Sequence, residues 1–181
     1  GEYEEDIGIA LGCLTRAPAD AHLNVCASGA AGGLEQWQGY ECVEALVDSG
    51  AGECVCGPAH FSAFQALTDP GRPNAGVEYV CADGGRIPNV GEKSVKSLSD
   101  DGVKLNIVFQ LTAVDHPLIS VAKLTEAGHR VYFEPDHATI VNIATGRRTH
   151  VEKKNGVYVL RMWVPKSIRR SEPPSSGGIR Q

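Results

Sequence analysis

Asp48, Ser49 and Gly50 are the residues whose types and order most plainly allow chemistry. They follow Cys42-Val43-Glu44-Ala45-Leu46-Val47, a loosely alternating run that reads as a strand, so an acid arrives directly at a chain reversal. Gly50 lets the backbone turn tightly or approach another backbone closely. Ser49 can hydrogen-bond locally or reach across to a partner chain. The chemistry on offer is acid–base work by a carboxylate held rigidly at a turn, and the same letters also describe a plain Asx turn that ends a strand. Serine catalysis would need a base paired to Ser49, yet His22, His60, His116, His129, His137 and His150 are scattered among loops and strand ends. There is no Walker-type glycine loop.

With Ala51 added, the stretch resembles the Asp-(Thr/Ser)-Gly-Ala active-site loop of the retroviral-type aspartic proteases, the retropepsins, which also carry apolar residues before the Asp. About seventy residues later, Pro117-Leu118-Ile119-Ser120-Val121-Ala122-Lys123-Leu124-Thr125-Glu126-Ala127-Gly128 is an apolar pair running into a helix closed by glycine. Retropepsins place a hydrophobic-hydrophobic-Gly turn and a short helix there, packed behind the active-site loop. The likeness is greater to copia-type retrotransposon polyproteins, where a Leu-Leu-Ser-Val-like segment follows the protease motif. Arg130-Val131-Tyr132-Phe133-Glu134 and Asn155-Gly156-Val157-Tyr158-Val159-Leu160 also look like that polyprotein, in which a β-rich pre-integrase connector comes next. The resemblance covers Tyr40 to Val164. Two positions depart from retroviral enzymes: Gly52 stands where an acid is frequent, and Ser120, with no Arg after it, replaces the Gly of the second turn. Copia-type sequences share that Ser.

The resemblance implies an aspartic endopeptidase that processes a polyprotein. Such an enzyme needs two carboxylates sharing one proton across a water. This chain holds a single Asp-Ser-Gly loop, so the second carboxylate would be Asp48 of another copy, in a twofold homodimer. Asp48, Ser49 and Gly50 would then form the catalytic loop, with Ser49 cross-linking the two copies. Ala51, Gly52 and Ile119 would lie against the peptide. A β-hairpin flap would be tipped by Asp83, Gly84 and Gly85 and supported by Val77, Val80, Ile87 and Val90. No cofactor or metal is implied. Two other readings stay open: a catalytically silent, dimerising module of a decayed element, and a nucleic-acid-associated segment using the basic end from Arg147 to Arg170.

The elements that must position these residues are mostly strands. The first runs from Gly39 to Val47, and Glu53-Cys54-Val55-Cys56 resumes after the loop. Pro58 suits the first position of a short helix through Phe61, Phe64 and Leu67. Val77–Ala82 and Arg86–Val90 flank the Asp83-Gly84-Gly85 turn, and Lys93–Leu98 pairs with Lys104–Leu111 in a second hairpin. A helix over Leu118–Ala127 ends at Gly128. Strands over Arg130–Glu134, Thr139–Ile143 and Arg147–Glu152 follow, and Asn155-Gly156 makes a hairpin into Val157–Val164. The tally predicts a mainly β, small closed-barrel fold of the acid-protease kind, with one or two short helices and a C-terminal β extension. The expected divisions are a linker over 1–38 with a short helix near 7–14, a protease domain over 39–134, the β extension over 135–164, and a disordered tail over 165–181.

Composition sets outer limits. The 181 residues are 42% hydrophobic and carry a formal net charge of −5. That supports a core and gives no reason to expect a nucleic-acid platform, so nucleic acid would be met only through neighbouring domains. No run approaches the ~20 apolar residues of a membrane span. The chain opens on Gly-Glu-Tyr without initiator Met or secretory pattern, and is expected to be part of something longer. Cys13, Cys26, Cys42, Cys54, Cys56 and Cys81 are irregularly spaced and predict reduced thiols, hence a cytoplasmic setting, rather than a disulfide framework. Cys54, Cys56 and nearby His60 fall short of a four-ligand zinc site.

Overall fold

The computed structural model describes residues 38–167. Within them the protein is mainly β, with eleven strands and one helix: β1 (Tyr40–Asp48), β2 (Val55–Cys56), β3 (Glu78–Val80), β4 (Arg86–Pro88), β5 (Gly91–Leu98), β6 (Lys104–Leu111), β7 (Leu118–Ser120), α1 (Val121–Glu126), β8 (His129–Phe133), β9 (His137–Asn142), β10 (Arg148–Lys154) and β11 (Val157–Pro165). The helix expected near 7–14, the linker before residue 38 and the tail after 167 lie outside the described residues.

Alternation decides the strands, because successive side chains point to opposite faces. In β5, Gly91, Lys93, Val95 and Ser97 are buried while Ser94 and Lys96 are exposed. Turn residues set the ends. Asn155 (φ 51°) and Gly156 (φ 83°) both adopt the left-handed conformation that a two-residue hairpin with the right twist requires.

Nine strands form one sheet, and β3 and β4 form a separate hairpin. β1 is parallel to β7 and antiparallel to β11. β7 pairs with β2, β2 runs parallel to β6, and β6 pairs with β5. β5 reaches β11 through Leu98 and Trp163, so the pairings return to β1. β10, β9 and β8 extend outward from β11. The 135–164 stretch thereby supplies the long antiparallel neighbour of β1, from Tyr40 opposite Pro165 to Leu46 opposite Val159. The main core gathers Val95, Phe109, Leu111, Ile119, Leu160 and Met162. A second cluster joins Tyr79 to Val55 and Leu118.

Two helix expectations are corrected. Leu118–Ser120 is strand, and the helix begins only at Val121. Leu118 and Ile119 gain a ladder with Leu46 and Val47 and complete burial, which outweighs their helix propensity. The segment from Pro58 to Leu67 forms turns and no helix. Phe61 there has φ 54°, outside helical space, and buries its ring on Phe109 at 5.0 Å. The carbonyls that a helix would use are taken by the buried Lys93, whose Nζ donates to Pro58 O (2.8 Å) and His60 O (2.6 Å). Among the described residues no helix is long and apolar enough to cross a membrane.

Candidate active site

Asp48 is the last residue of β1 and stands opposite Ser120, the last of β7, in parallel register. Its Oδ1 accepts from Gly50 N at 2.7 Å, which closes an Asx turn and fixes the plane of the carboxylate. Asp48 is half-buried, and Ser49 and Gly50 are exposed. The chain then dives inward: Ala51 is buried, Gly52 and Glu53 are intermediate, and Cys54 begins a fully covered stretch. The result is a carboxylate at the rim of the sheet, on a tight turn whose outgoing limb is anchored in protein.

Ser120 does most of that anchoring. Its Oγ donates to Ala51 O at 2.6 Å and accepts from Lys123 N at 3.2 Å, so one hydroxyl holds the loop and caps α1. Its backbone N–H points at Cys54 Sγ, 3.3 Å away. One helical turn on, Lys123 Nζ lies 3.0 Å from Glu53 and 3.2 Å from Glu126. Hydrogen bonding to Glu53 first, and to Glu126 second, raises the pKa of that ammonium. Loop residues 51, 53 and 54 are thus each tied to the start of α1. Burial pushes the Cys54 thiol up to about 11 and the Cys56 thiol up to about 12. Neither has the character of a nucleophile. Cys54, Cys56 and Cys81 are free thiols. His60 is lowered chiefly by burial, and its Nδ1 accepts from Gly57 N at 2.9 Å.

The remaining expected site residues fall into two groups. Asp83, Gly84 and Gly85 are exposed at the turn between β3 and β4, where Gly85 N donates to Asp83 Oδ1 at 2.8 Å. The root of that hairpin packs Val77, Tyr79, Cys81 and Ile87 against Leu46, Val55 and Leu118. It therefore rests on the strands that carry Asp48 and Ser120. Ala51 and Ile119 are only 1% and 0% exposed, so both side chains pack inside the subunit. Ile119 also lines, with Leu105, Ile107, Leu124 and Ile140, a cleft of about 950 Å³ behind the loop.

Among the described residues no three His, Cys, Asp or Glu side chains are grouped to hold a metal. Of the basic residues near the end of the described chain, Lys154 is paired with Glu44 at 3.0 Å and Lys153 donates to Pro135 O at 2.9 Å. Compared with protein-family models, with characterised proteins and with solved structures, the chain matches none.

Sequence reasoning missed the cation that follows Ser120. It looked for an Arg immediately after the turn, whereas Lys123 reaches Glu53 from one helical turn further on. Ser120 ahead of a helical run was the available signal for the cap, and nothing local pointed from Lys123 to Glu53. It also missed Lys93, buried at 4% exposure in a strand that otherwise alternates as a solvated one would.

Proposed function

We propose that the chain is the retropepsin-like aspartic endopeptidase domain of a copia-type retrotransposon polyprotein, with the start of the pre-integrase connector, and that it acts as a homodimer. The observation that carries this reading is the pairing of Asp48 with Ser120: two parallel strand ends, one bearing an Asx-turned carboxylate and the other clamping its loop. The circuit of pairings from β1 through β7, β2, β6, β5 and β11 supports a small closed barrel of the acid-protease kind. One such loop per chain makes half a site, and exposed Ser49 is free to meet its twin across the axis.

In the dimer a water lies between the two Asp48 carboxyls, which hold one proton between them because like charges ~3 Å apart cannot both ionise. The ionised carboxylate takes a proton from the water as its oxygen attacks the peptide carbonyl carbon. The protonated carboxyl donates to the carbonyl oxygen, giving a tetrahedral gem-diol. Collapse then breaks the C–N bond: the carboxyl that took the water's proton gives one to the amine nitrogen, and the other, now ionised, takes a diol proton as the carbonyl re-forms. The bond from Gly50 N holds Oδ1 in place.

The test is peptide cleavage by the full chain against its Asp48→Asn variant, with and without a statine-type peptide mimic. Wild type should cleave and be blocked by the mimic. The variant should be inactive, with an unchanged circular dichroism spectrum and with dimer still formed at the assay concentration. Cleavage surviving the substitution would remove the assignment.

A further inference from the structure

We propose that Asn89 is the positioning residue that locks the root of the β3–β4 hairpin onto the strands of the Asp48 loop, confining movement over a bound peptide to the tip at 82–85. The functional half rests on the protease reading, and the anchoring half rests on geometry alone. Asn89 is 7% exposed, and its side chain can donate twice and accept twice. All four capacities are used. Nδ2 donates to Tyr79 Oη (2.9 Å) and Gln110 Oε1 (2.7 Å). Oδ1 accepts from Arg72 Nη1 (2.9 Å) and Gly91 N (3.0 Å).

Those partners come from the 69–74 loop, β3, β5 and β6, so one amide joins the loop and the β3–β4 hairpin to the paired strands β5 and β6. Gln110 carries the chain on to Glu92 at 3.3 Å. Two further bonds reinforce the same point: Asn89 N donates to Val77 O at 2.8 Å, and the Thr112 hydroxyl donates to Pro88 O at 2.9 Å. Tyr79 is fully buried against Val55 and Leu118, which ties the network to the neighbours of Asp48 and Ser120. A fully satisfied buried polar network of this kind rigidifies and specifies one arrangement. The tip differs: residues 82–85 are exposed, and its bonds (Cys81 N to Gly85 O, Gly84 N to Cys81 O, Gly85 N to Asp83 Oδ1) close within the turn. A stiff root with a loose tip sets the height at which the hairpin meets an extended peptide, a matter of substrate affinity more than of bond breaking.

The experiment compares wild type, Asn89→Asp and Tyr79→Phe as full chains. Asn89→Asp keeps the shape, loses both donors and sets a carboxylate oxygen against Gln110 Oε1. Tyr79→Phe deletes one hydroxyl and guards against a variant that fails to fold. Amide exchange at Tyr79 and Asn89 should quicken at least tenfold in the Asp variant and severalfold in the Phe variant. Amides shared by β1 and β11 should stay within twofold. KM for a peptide should rise about tenfold with kcat within twofold. Exchange that rises equally throughout, or not at all, overturns the anchor. A fall in kcat at constant KM overturns the affinity role. A wild type that cleaves nothing overturns the functional half by way of the protease reading, while the exchange contrast still decides the anchor.

Discussion

Replacing Ser120 with Ala tests whether one hydroxyl holds the catalytic loop. Two losses follow, and each has a size. Removing a serine N-cap costs about 1 kcal/mol. The Ala51 carbonyl, whose 2.6 Å donor disappears, is then left beside a side chain that is 0% exposed, where no water can replace it. An unsatisfied buried acceptor costs roughly 1–3 kcal/mol. The sum is roughly 2–4 kcal/mol, and for a body of this size each kcal/mol lowers Tm by about 4 °C. Urea unfolding of the full chain, followed by circular dichroism at one fixed protein concentration so that assembly does not shift the midpoint, reads the change. Ser120→Gly makes the contrast. Glycine is a tolerable cap, so its cost should come mainly from Ala51 and the added backbone freedom. An Ala variant within about 0.5 kcal/mol of wild type would mean that the loop is held by something other than this bond.

Cleavage, dimerisation and pH should move together. Activity below the dimer dissociation constant should rise with the square of protein concentration, and strictly linear activity would demand a second acid in the same chain. A dyad sharing one proton binds more protons than two separate monomers, so dimer affinity should weaken as pH climbs, while the rate profile is bell-shaped with an acidic-side optimum. Sedimentation of wild type and Asp48→Asn across mildly acidic to mildly alkaline pH checks this, and equal pH sensitivity in both would show that the carboxylates never meet. The buried thiols give an independent alkaline signature. Folding raises Cys54 and Cys56 from 9.0 to about 11 and about 12, so the native state keeps protons that the unfolded chain releases. Their contribution is therefore fully present below pH 9.0 and is lost as pH rises toward those values, by up to about 1.4 kcal/mol per pH unit for each thiol. Above that pH the urea midpoint of wild type should fall more steeply than that of a Cys56→Ala variant, which has no such thiol to ionise. Iodoacetamide at mild alkaline pH should spare both thiols until urea is added, and equal labelling with and without urea would contradict their burial.

The sequence by itself determined the strand framework and the point at which the acid sits. Alternation placed β1, β5, β6 and β8 to β11 within a residue or two, because the period-2 pattern is settled by which face each residue must hide. Asp83-Gly84 and Asn155-Gly156 marked their turns because positive φ is a local demand. Asp48-Ser49-Gly50 was legible as an Asx turn for the same reason, since Asp48 bonds a backbone group two residues away.

Tertiary structure decided everything that depends on distant partners. Leu118–Ser120 became strand because β1 offered a ladder seventy residues back in the chain. Pro58 to Leu67 lost its helix to Lys93 and Phe109, neither of them near in sequence. Ser120 looked like a substitution for glycine and is the clamp of the loop only because folding carries it to Ala51, 69 residues away. Three bonds of Asn89, to Arg72, Tyr79 and Gln110, likewise join residues that sequence spacing cannot associate. A side chain's local geometry follows from its immediate neighbours, whereas its partner across the fold exists only once the chain has closed, and the candidate site is built almost wholly from partners of the second kind.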